Sequence, residues 1–108
     1  DGVIRERLKL ARQGLVVVSL VIDEDGELIA DPEARVLGLP ADQEGWEDSL
    51  AAAVAFTVDE AMEQAPKKQT RTDGGVEEVV SRAARRAATR LLGKKPVVSV
   101  IIHRLEDE

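Results

Sequence analysis

The sequence of 108 residues contains no cysteine, which excludes a disulfide framework and a thiolate metal site. Its only aromatic residues are Trp46 and Phe56, so it lacks the aromatic platforms on which proteins stack single-stranded nucleic acid. The longest apolar run covers residues 15–22 and is broken by Ser19, whereas a membrane span needs about 20 residues. No signal peptide is evident at its start. These absences favour a cytoplasmic protein without a membrane segment.

Charge is unevenly distributed along the sequence. The formal net charge is −6, which argues against a surface that binds nucleic acid on all sides. Acidic residues dominate residues 23–63, whereas residues 67–95 are mostly basic. The length suits one domain with a single modest core, and the chain begins at Asp1 without an initiator methionine. We therefore expect an accessory domain cut from a larger protein.

Hydrophobic periodicity predicts a helix followed by two strands at the beginning of the chain. Apolar residues at helical spacing predict a helix over residues 3–13, and the β-branched run over residues 15–22 predicts a buried strand. Residues 23–26 predict a turn that leads into a return strand at residues 27–30. Because proline cannot donate to a strand ladder, Pro32 interrupts this strand, and residues 34–39 are expected to continue it as a frayed edge.

The second half of the sequence predicts two long helices and a last strand. The helices cover residues 46–65 and 76–92, a polar loop over residues 67–75 joins them, and the strand covers residues 97–105. The residues expected to face inward on the first helix are Trp46, Leu50, Val54, Val58, Ala61 and Ala65. Those on the second helix are Val76, Val80, Ala83, Ala84, Ala87 and Leu91.

The order of these elements predicts an α/β (α+β) fold. It consists of a three-stranded sheet with two long helices packed on one face, plus the N-terminal helix. We expect residues 1–13 to be a helical linker from the parent protein and residues 14–108 to form a single accessory domain.

The first and last strands carry apolar residues at both even and odd positions. A strand with one solvent-exposed face should instead alternate between apolar and polar residues. We expect the even-numbered residues to pack on the helices and the odd-numbered ones to be left without cover. Phe56 projects away from the inward stripe of its helix, which indicates a further subunit or interdomain contact. The candidate contact residues are therefore Val17, Ser19, Val21, Phe56, Ile101 and His103.

Two groups of residues resemble parts of a metal or catalytic site. His103 is the single histidine, and no partner for catalysis or metal binding is visible in the sequence, so a histidine on a strand surface is the better interpretation. Asp23, Asp25 and Glu27 flank Gly26 as in part of a calcium loop. The ligand positions before and after them do not match, which favours an acidic hairpin turn. We predict no catalytic residue and no bound cofactor in this chain.

A basic cluster on the second long helix has two interpretations. Arg82, Arg85 and Arg86, with Lys94 and Lys95 beyond the helix end, are suited to contact RNA phosphates. The simpler alternative is a solvated helix face that contains a Glu78–Arg82 pair. Both interpretations remain open from the sequence.

The segment Ile4-Arg5-Glu6-Arg7 is followed by Ala11 and Gly14, by the strand Leu15-Val16-Val17-Val18 directly after them, and by the acidic turn with its glycine. With these features the sequence resembles, over essentially its whole length, the C-terminal domain of bacterial ribonuclease J. Leu28, Pro32 and the Pro-Val-rich last strand occupy matching places. One departure is Leu37-Gly38-Leu39, where an Arg-Gly-Phe-like sequence is typical of the family.

The resemblance implies a parent with a zinc-dependent metallo-β-lactamase domain and a β-CASP domain, which hydrolyses RNA as a 5′-to-3′ exonuclease and an endonuclease. The zinc-binding His-x-His-x-Asp-His motif of that family is absent from this sequence. It therefore implies a supporting role in a homo-oligomer, in contact with the catalytic domains of the parent chain. RNA contact or docking of a degradosome-like partner is the alternative, whereas a self-contained small enzyme is disfavoured.

Overall fold

The computed structural model describes residues 14–39 and 45–105. Its elements in chain order are the strands β1 (Leu15–Ile22) and β2 (Glu33–Leu37), the helices α1 (Glu47–Gln64), α2 (Lys67–Thr70) and α3 (Asp73–Leu92), and the strand β3 (Val97–Arg104). The predicted three-stranded α+β fold is confirmed. The helix predicted over residues 3–13 lies outside the described residues.

The three strands form one mixed sheet in the order β2-β1-β3. β1 lies in the centre, antiparallel to β2 and parallel to β3. The register with β2 runs from Leu15↔Leu37 to Ser19↔Glu33, and the register with β3 runs from Leu15↔Val97 to Ile22↔Arg104. The chain therefore crosses from β2 back to the far edge of the sheet through the helices.

The prediction that the return strand begins at residue 27 is wrong. Residues 27–30 contribute only an isolated bridge, Ile22↔Leu28, and the paired strand begins at Glu33. The reason is that the turn closes on itself. The Asp23 N–H donates to the Glu27 carbonyl at 2.9 Å, and the Asp23 carboxylate accepts from the Glu27 N–H at 3.0 Å. Pro32, which lacks an N–H, then separates the turn from the strand.

Both long helices pack on the same face of the sheet, α1 over β2 and α3 over β3, and they also contact each other. The α1 residues in the core are four residues apart, which places them on one side of the helix; they are Leu50, Val54, Val58 and Met62. The prediction that Trp46 faces inward is wrong, because Trp46 precedes the first turn and is 50% exposed.

The second long helix begins three residues earlier than predicted, at Asp73, because the Thr72 side chain caps it by accepting from the Gly75 N–H at 3.0 Å. It ends as predicted at Gly93, whose φ of 75° lies in the left-handed region. The prediction that Leu91 is buried is wrong. Leu92 continues the inward row of Ala84 and Ala88, whereas Leu91 is 47% exposed. The predicted loop before the helix contains the short helix α2.

Candidate interaction surfaces

The helices cover one face of the sheet and leave the other face open. On β1 the side chains of Val16, Val18, Leu20 and Ile22 are completely buried beneath the helices. The odd-numbered residues between them are only partly buried, because neither helix reaches their face. Since side chains in a strand alternate between faces, the sheet has one covered face and one open face, as the sequence predicts.

The open face brings five of the six predicted contact residues together. Val17, Ser19 and Val21 lie in a row along β1, and the parallel register places Ile101 beside Ser19 and His103 beside Val21. Ile101 is 45% exposed, and His103 is exposed next to it. Leu15 and Val97, which are paired at the beginning of the strands, extend the same row of apolar residues.

Phe56 lies on a different surface from the other predicted contact residues. It sits midway along α1, where the inward row of Leu50, Val54 and Val58 leaves it on the outer side of the helix. Its side chain is 66% exposed. Because α1 covers the other face of the sheet, Phe56 and the open face point in opposite directions. Phe56 therefore belongs to an apolar surface that is separate from the open face.

The predicted basic residues line a shallow depression on α3. Its lining consists of Arg82, Arg85, Arg86, Thr89, Arg90 and Lys95. Among the residues that the structure describes, none in this lining is acidic, although Arg82 also forms a 3.0 Å ion pair with Glu78 one turn earlier. Lys94, predicted with this group, is not part of the lining. Arg90 and Thr89 were missing from the predicted site, although the spacing Arg86–Arg90 already places both arginines on one side of a helix.

Thr89 is the uncharged residue of this lining, and its side chain ends in a hydroxyl group. Its oxygen is buried and has no hydrogen-bond partner among the described residues. A buried polar atom without a partner is unusual in folded proteins. Because this oxygen is buried, the depression presents cationic groups rather than the hydroxyl group.

Arg104 connects elements that are far apart in the sequence. Its Nε donates to the Asp73 carboxylate at 2.9 Å, and its guanidinium also donates to three backbone carbonyls. These belong to Asp23 at 3.1 Å, Glu24 at 2.9 Å and Thr70 at 3.2 Å. The partners lie 31 to 81 residues away, so no local sequence pattern could reveal them. Arg104 thus ties the acidic turn to the start of α3.

The same junction explains a glycine in the acidic turn. Gly26 has a φ of 87° and lies against Thr70, so that a Cβ at this position would overlap the Thr70 backbone. The Thr70 hydroxyl donates to the Asp25 carbonyl at 3.1 Å. The Asp23 carboxylate accepts from the backbone N–H groups of Asp25 and Glu27. The Asp23 carboxylate is therefore engaged in organising this turn.

Within residues 14–39 and 45–105, no three histidine, aspartate or glutamate side chains are arranged to hold a metal ion. In the same residues, no helix combines the length and the hydropathy that a membrane crossing requires.

Comparison with known proteins gives two findings. The family model of the ribonuclease J C-terminal domain matches residues 2–105. A curated ribonuclease J from Sinorhizobium meliloti is 39% identical over 102 residues, which cover 92% of this chain and 17% of that protein. The chain therefore spans about one sixth of the length of the curated relative that it matches.

Proposed function

This chain belongs to the ribonuclease J C-terminal domain family, and on that premise we propose that it is the non-catalytic accessory domain of a zinc-dependent ribonuclease. In this proposal the parent protein hydrolyses RNA in the cytoplasm as a 5′-to-3′ exonuclease and an endonuclease. The zinc ions and the catalytic residues belong to the other domains of that protein. The accessory domain holds copies of the enzyme together and stabilises its catalytic domains.

The observation that carries this proposal is the pair of apolar surfaces left after the core has formed. Val17, Val21 and Ile101 lie on the open face of the sheet, and Phe56 lies on the outer side of α1. Complete burial of one such side chain contributes roughly 1.5–3 kcal/mol. Because the two surfaces face opposite directions, one can contact a second copy while the other contacts the catalytic domains of its own chain.

Two substitutions test these surfaces separately. Phe56→Glu introduces a charge on α1, and Val21→Lys introduces one on the open face, and each leaves the core residues intact. We expect the variant at the subunit contact to lower the average mass of the 108-residue chain in light scattering, because association would bury a charge. The other variant should associate like the wild type. Gln64→Glu, two turns beyond Phe56 on α1, is the charge-matched control.

Circular dichroism must accompany these measurements, because a variant that unfolds reports nothing about the contact. Reduced mass in one folded variant, with normal association of the control, identifies the contact surface. If the wild-type chain is monomeric at all concentrations, the oligomerisation proposal is wrong. If it associates and both variants associate equally well, the two apolar surfaces do not form the subunit contact.

The second candidate function is RNA contact through the basic depression, and its specific support is the group of five cationic side chains that line it. Each phosphate contact releases counterions, so such binding weakens steeply with salt. Docking of an acidic partner protein would use the same side chains.

Charge reversal tests this second candidate. The triple substitution Arg82→Glu, Arg85→Glu and Arg86→Glu should weaken the binding of a single-stranded oligoribonucleotide. It should also reduce the slope of log affinity against log salt by about 2, since three phosphate contacts are lost. Arg71→Glu removes a basic residue outside the depression and serves as the control. Unchanged affinity and slope in the triple variant would mean that this surface is only solvated. If the wild type does not bind RNA, this candidate is wrong, and docking of an acidic partner protein remains as the use of the depression.

A further inference from the structure

The basic depression on α3 adjoins an apolar depression at the end of the same helix. The described lining of the apolar depression consists of Gly45, Trp46, Ser49, Leu50 and Leu91. The basic depression includes Arg90, which directly precedes Leu91 in the chain. The two depressions therefore lie next to each other at the last turn of α3.

The backbone of Trp46 is fixed, whereas much of its side chain is open to solvent. The Trp46 carbonyl accepts from the Leu50 N–H at 2.9 Å, so the residue is held at the first turn of α1. Its side chain is 50% exposed, and Leu91, which lines the same depression, is 47% exposed. The indole ring therefore has a free surface at a defined position.

Three arginines form a row on α3 that ends near Trp46. Arg82, Arg86 and Arg90 follow one another at intervals of four residues, so they share one side of the helix over a length of about 12 Å. A third depression, between α1 and α3, is lined by Arg82 and Arg86 together with Glu60 of α1. The carboxylate therefore lies at the far end of the row, and the end near Trp46 is the more favourable one for an anion.

Two acidic residues follow Trp46 in the sequence, Glu47 and Asp48. The Glu47 carboxylate accepts from the Gly45 N–H at 2.8 Å, which engages it in the local backbone. Neither acidic residue is among the described residues that line the apolar depression. An anionic ligand that approaches Trp46 from the side of Arg90 therefore meets cationic groups first.

We propose that Trp46 stacks on one base of an RNA strand whose phosphates lie along the row of Arg82, Arg86 and Arg90. An aromatic side chain beside a basic groove is the usual means of binding a single strand, and it tolerates any base because every base has a flat face. The sequence has too few aromatic residues for a platform of several rings, but one ring is enough for one base.

The same observations favour RNA over an acidic protein as the occupant. The carboxylates of an acidic protein would use the arginines without needing an aromatic ring, whereas a nucleotide uses both groups at once. The inference rests on the proposed RNA contact and names the residue that binds the base.

Intrinsic fluorescence tests the stacking directly, because Trp46 is the only tryptophan in the sequence. The 108-residue chain is titrated at low salt with an oligouridylate of about eight nucleotides, which lies within the usual site sizes for single strands. We expect the fluorescence to be quenched in step with binding, since the base covers the exposed ring. Inorganic polyphosphate is the control. It should compete with the RNA for the arginines but leave the fluorescence unchanged, because it has no base.

Two substitutions separate stacking from phosphate contact. Trp46→Ala should lower the affinity for the oligouridylate by about five- to tenfold, at the lower end of what the loss of one stacked base costs. It should leave the slope of log affinity against log salt unchanged, because no phosphate contact is lost. Arg90→Ala should instead reduce that slope by about 0.7, the value for one phosphate contact with a single strand.

Two further variants serve as controls for Trp46→Ala. Trp46→Phe keeps an aromatic ring and should recover most of the affinity. Ile29→Ala removes a side chain of similar exposure, 52%, from the other end of β1, where the Ile29 N–H donates to the Val21 carbonyl. It should bind like the wild type. Circular dichroism establishes that each variant is folded.

The outcomes separate this inference from the function on which it rests. RNA binding that depends on Arg90 but leaves the fluorescence of Trp46 unchanged would overturn the stacking, although the RNA contact would stand. The same holds if polyphosphate quenches the fluorescence equally, or if Trp46→Phe binds as weakly as Trp46→Ala. If the wild type binds no RNA, both proposals are wrong. If Trp46→Ala does not fold, the fluorescence of the wild type decides alone, and quenching by RNA but not by polyphosphate supports the stacking.

Discussion

The two faces of β1 use the same residue types for different purposes. Val16 and Val18 are completely buried, whereas Val17 and Val21, one residue away, remain partly exposed on the open face. Only the first pair is covered by helices of this chain. The even-numbered residues therefore belong to the core, whereas the odd-numbered apolar residues keep exposed surface. Hydrophobicity alone does not distinguish these roles; the position of the helices does.

A pair of alanine substitutions tests this difference between the two faces of β1, and it has the largest expected effect. Leu20→Ala removes a completely buried side chain and should lower the free energy of unfolding by about 2–5 kcal/mol, because it loses burial and leaves a cavity. Val21→Ala, at the neighbouring position on the open face, should change it by less than about 1 kcal/mol. Urea denaturation at a chain concentration where both variants are monomeric provides the measurement. Equal losses at the two positions would contradict the difference between the faces.

A second pair of substitutions compares neighbours at the end of β3. Arg104 is 15% exposed and donates to three carbonyls and to the Asp73 carboxylate, whereas His103 lies exposed on the open face. We expect Arg104→Ala to lower the free energy of unfolding by about 1.5–3 kcal/mol. The Asp73 contact itself contributes little, because that carboxylate is mostly exposed.

His103→Ala is the matched variant and should leave stability within about 0.5 kcal/mol of the wild type. Arg104→Lys separates the contribution of the charge from that of the hydrogen bonds. A lysine keeps the charge but lacks the planar guanidinium group that reaches several acceptors. It should recover only part of the loss. Full recovery by lysine would show that charge, and not the set of directed hydrogen bonds, holds the acidic turn to α3.

Much of the fold could be predicted, because its signals are local. The β-branched run of β1 and the end of the second long helix at Gly93 are examples. The prediction for the return strand was wrong, because Glu27 bonds back to Asp23 within the turn and residues 27–30 make only an isolated bridge to β1. Leu91 and Leu92 are chemically identical, so only the packing of the helix end decides which one is buried.

The candidate surfaces could be predicted only in part. The open face followed from residues at odd positions in two strands, and the structure places them side by side. Phe56 lies on the opposite side of the molecule because α1 packs on the covered face of the sheet. The sequence of a single helix does not show on which face of the sheet the helix packs. The role of Arg104 depends on contacts with residues 31 to 81 positions away, and the resemblance to the family carried no information about it.

The central claim is that apolar surface outside the core holds copies of the chain together. The effect of salt on self-association of the 108-residue chain tests this claim most directly. Sedimentation equilibrium in low salt, in high sodium chloride and in moderate ammonium sulfate gives the dimer dissociation constant in each. We predict that association persists in sodium chloride and tightens in sulfate, because excluded salts strengthen apolar burial while screening weakens contacts between charges. Dissociation of the dimer by high salt would contradict this account and would place the contact on the charged surfaces instead.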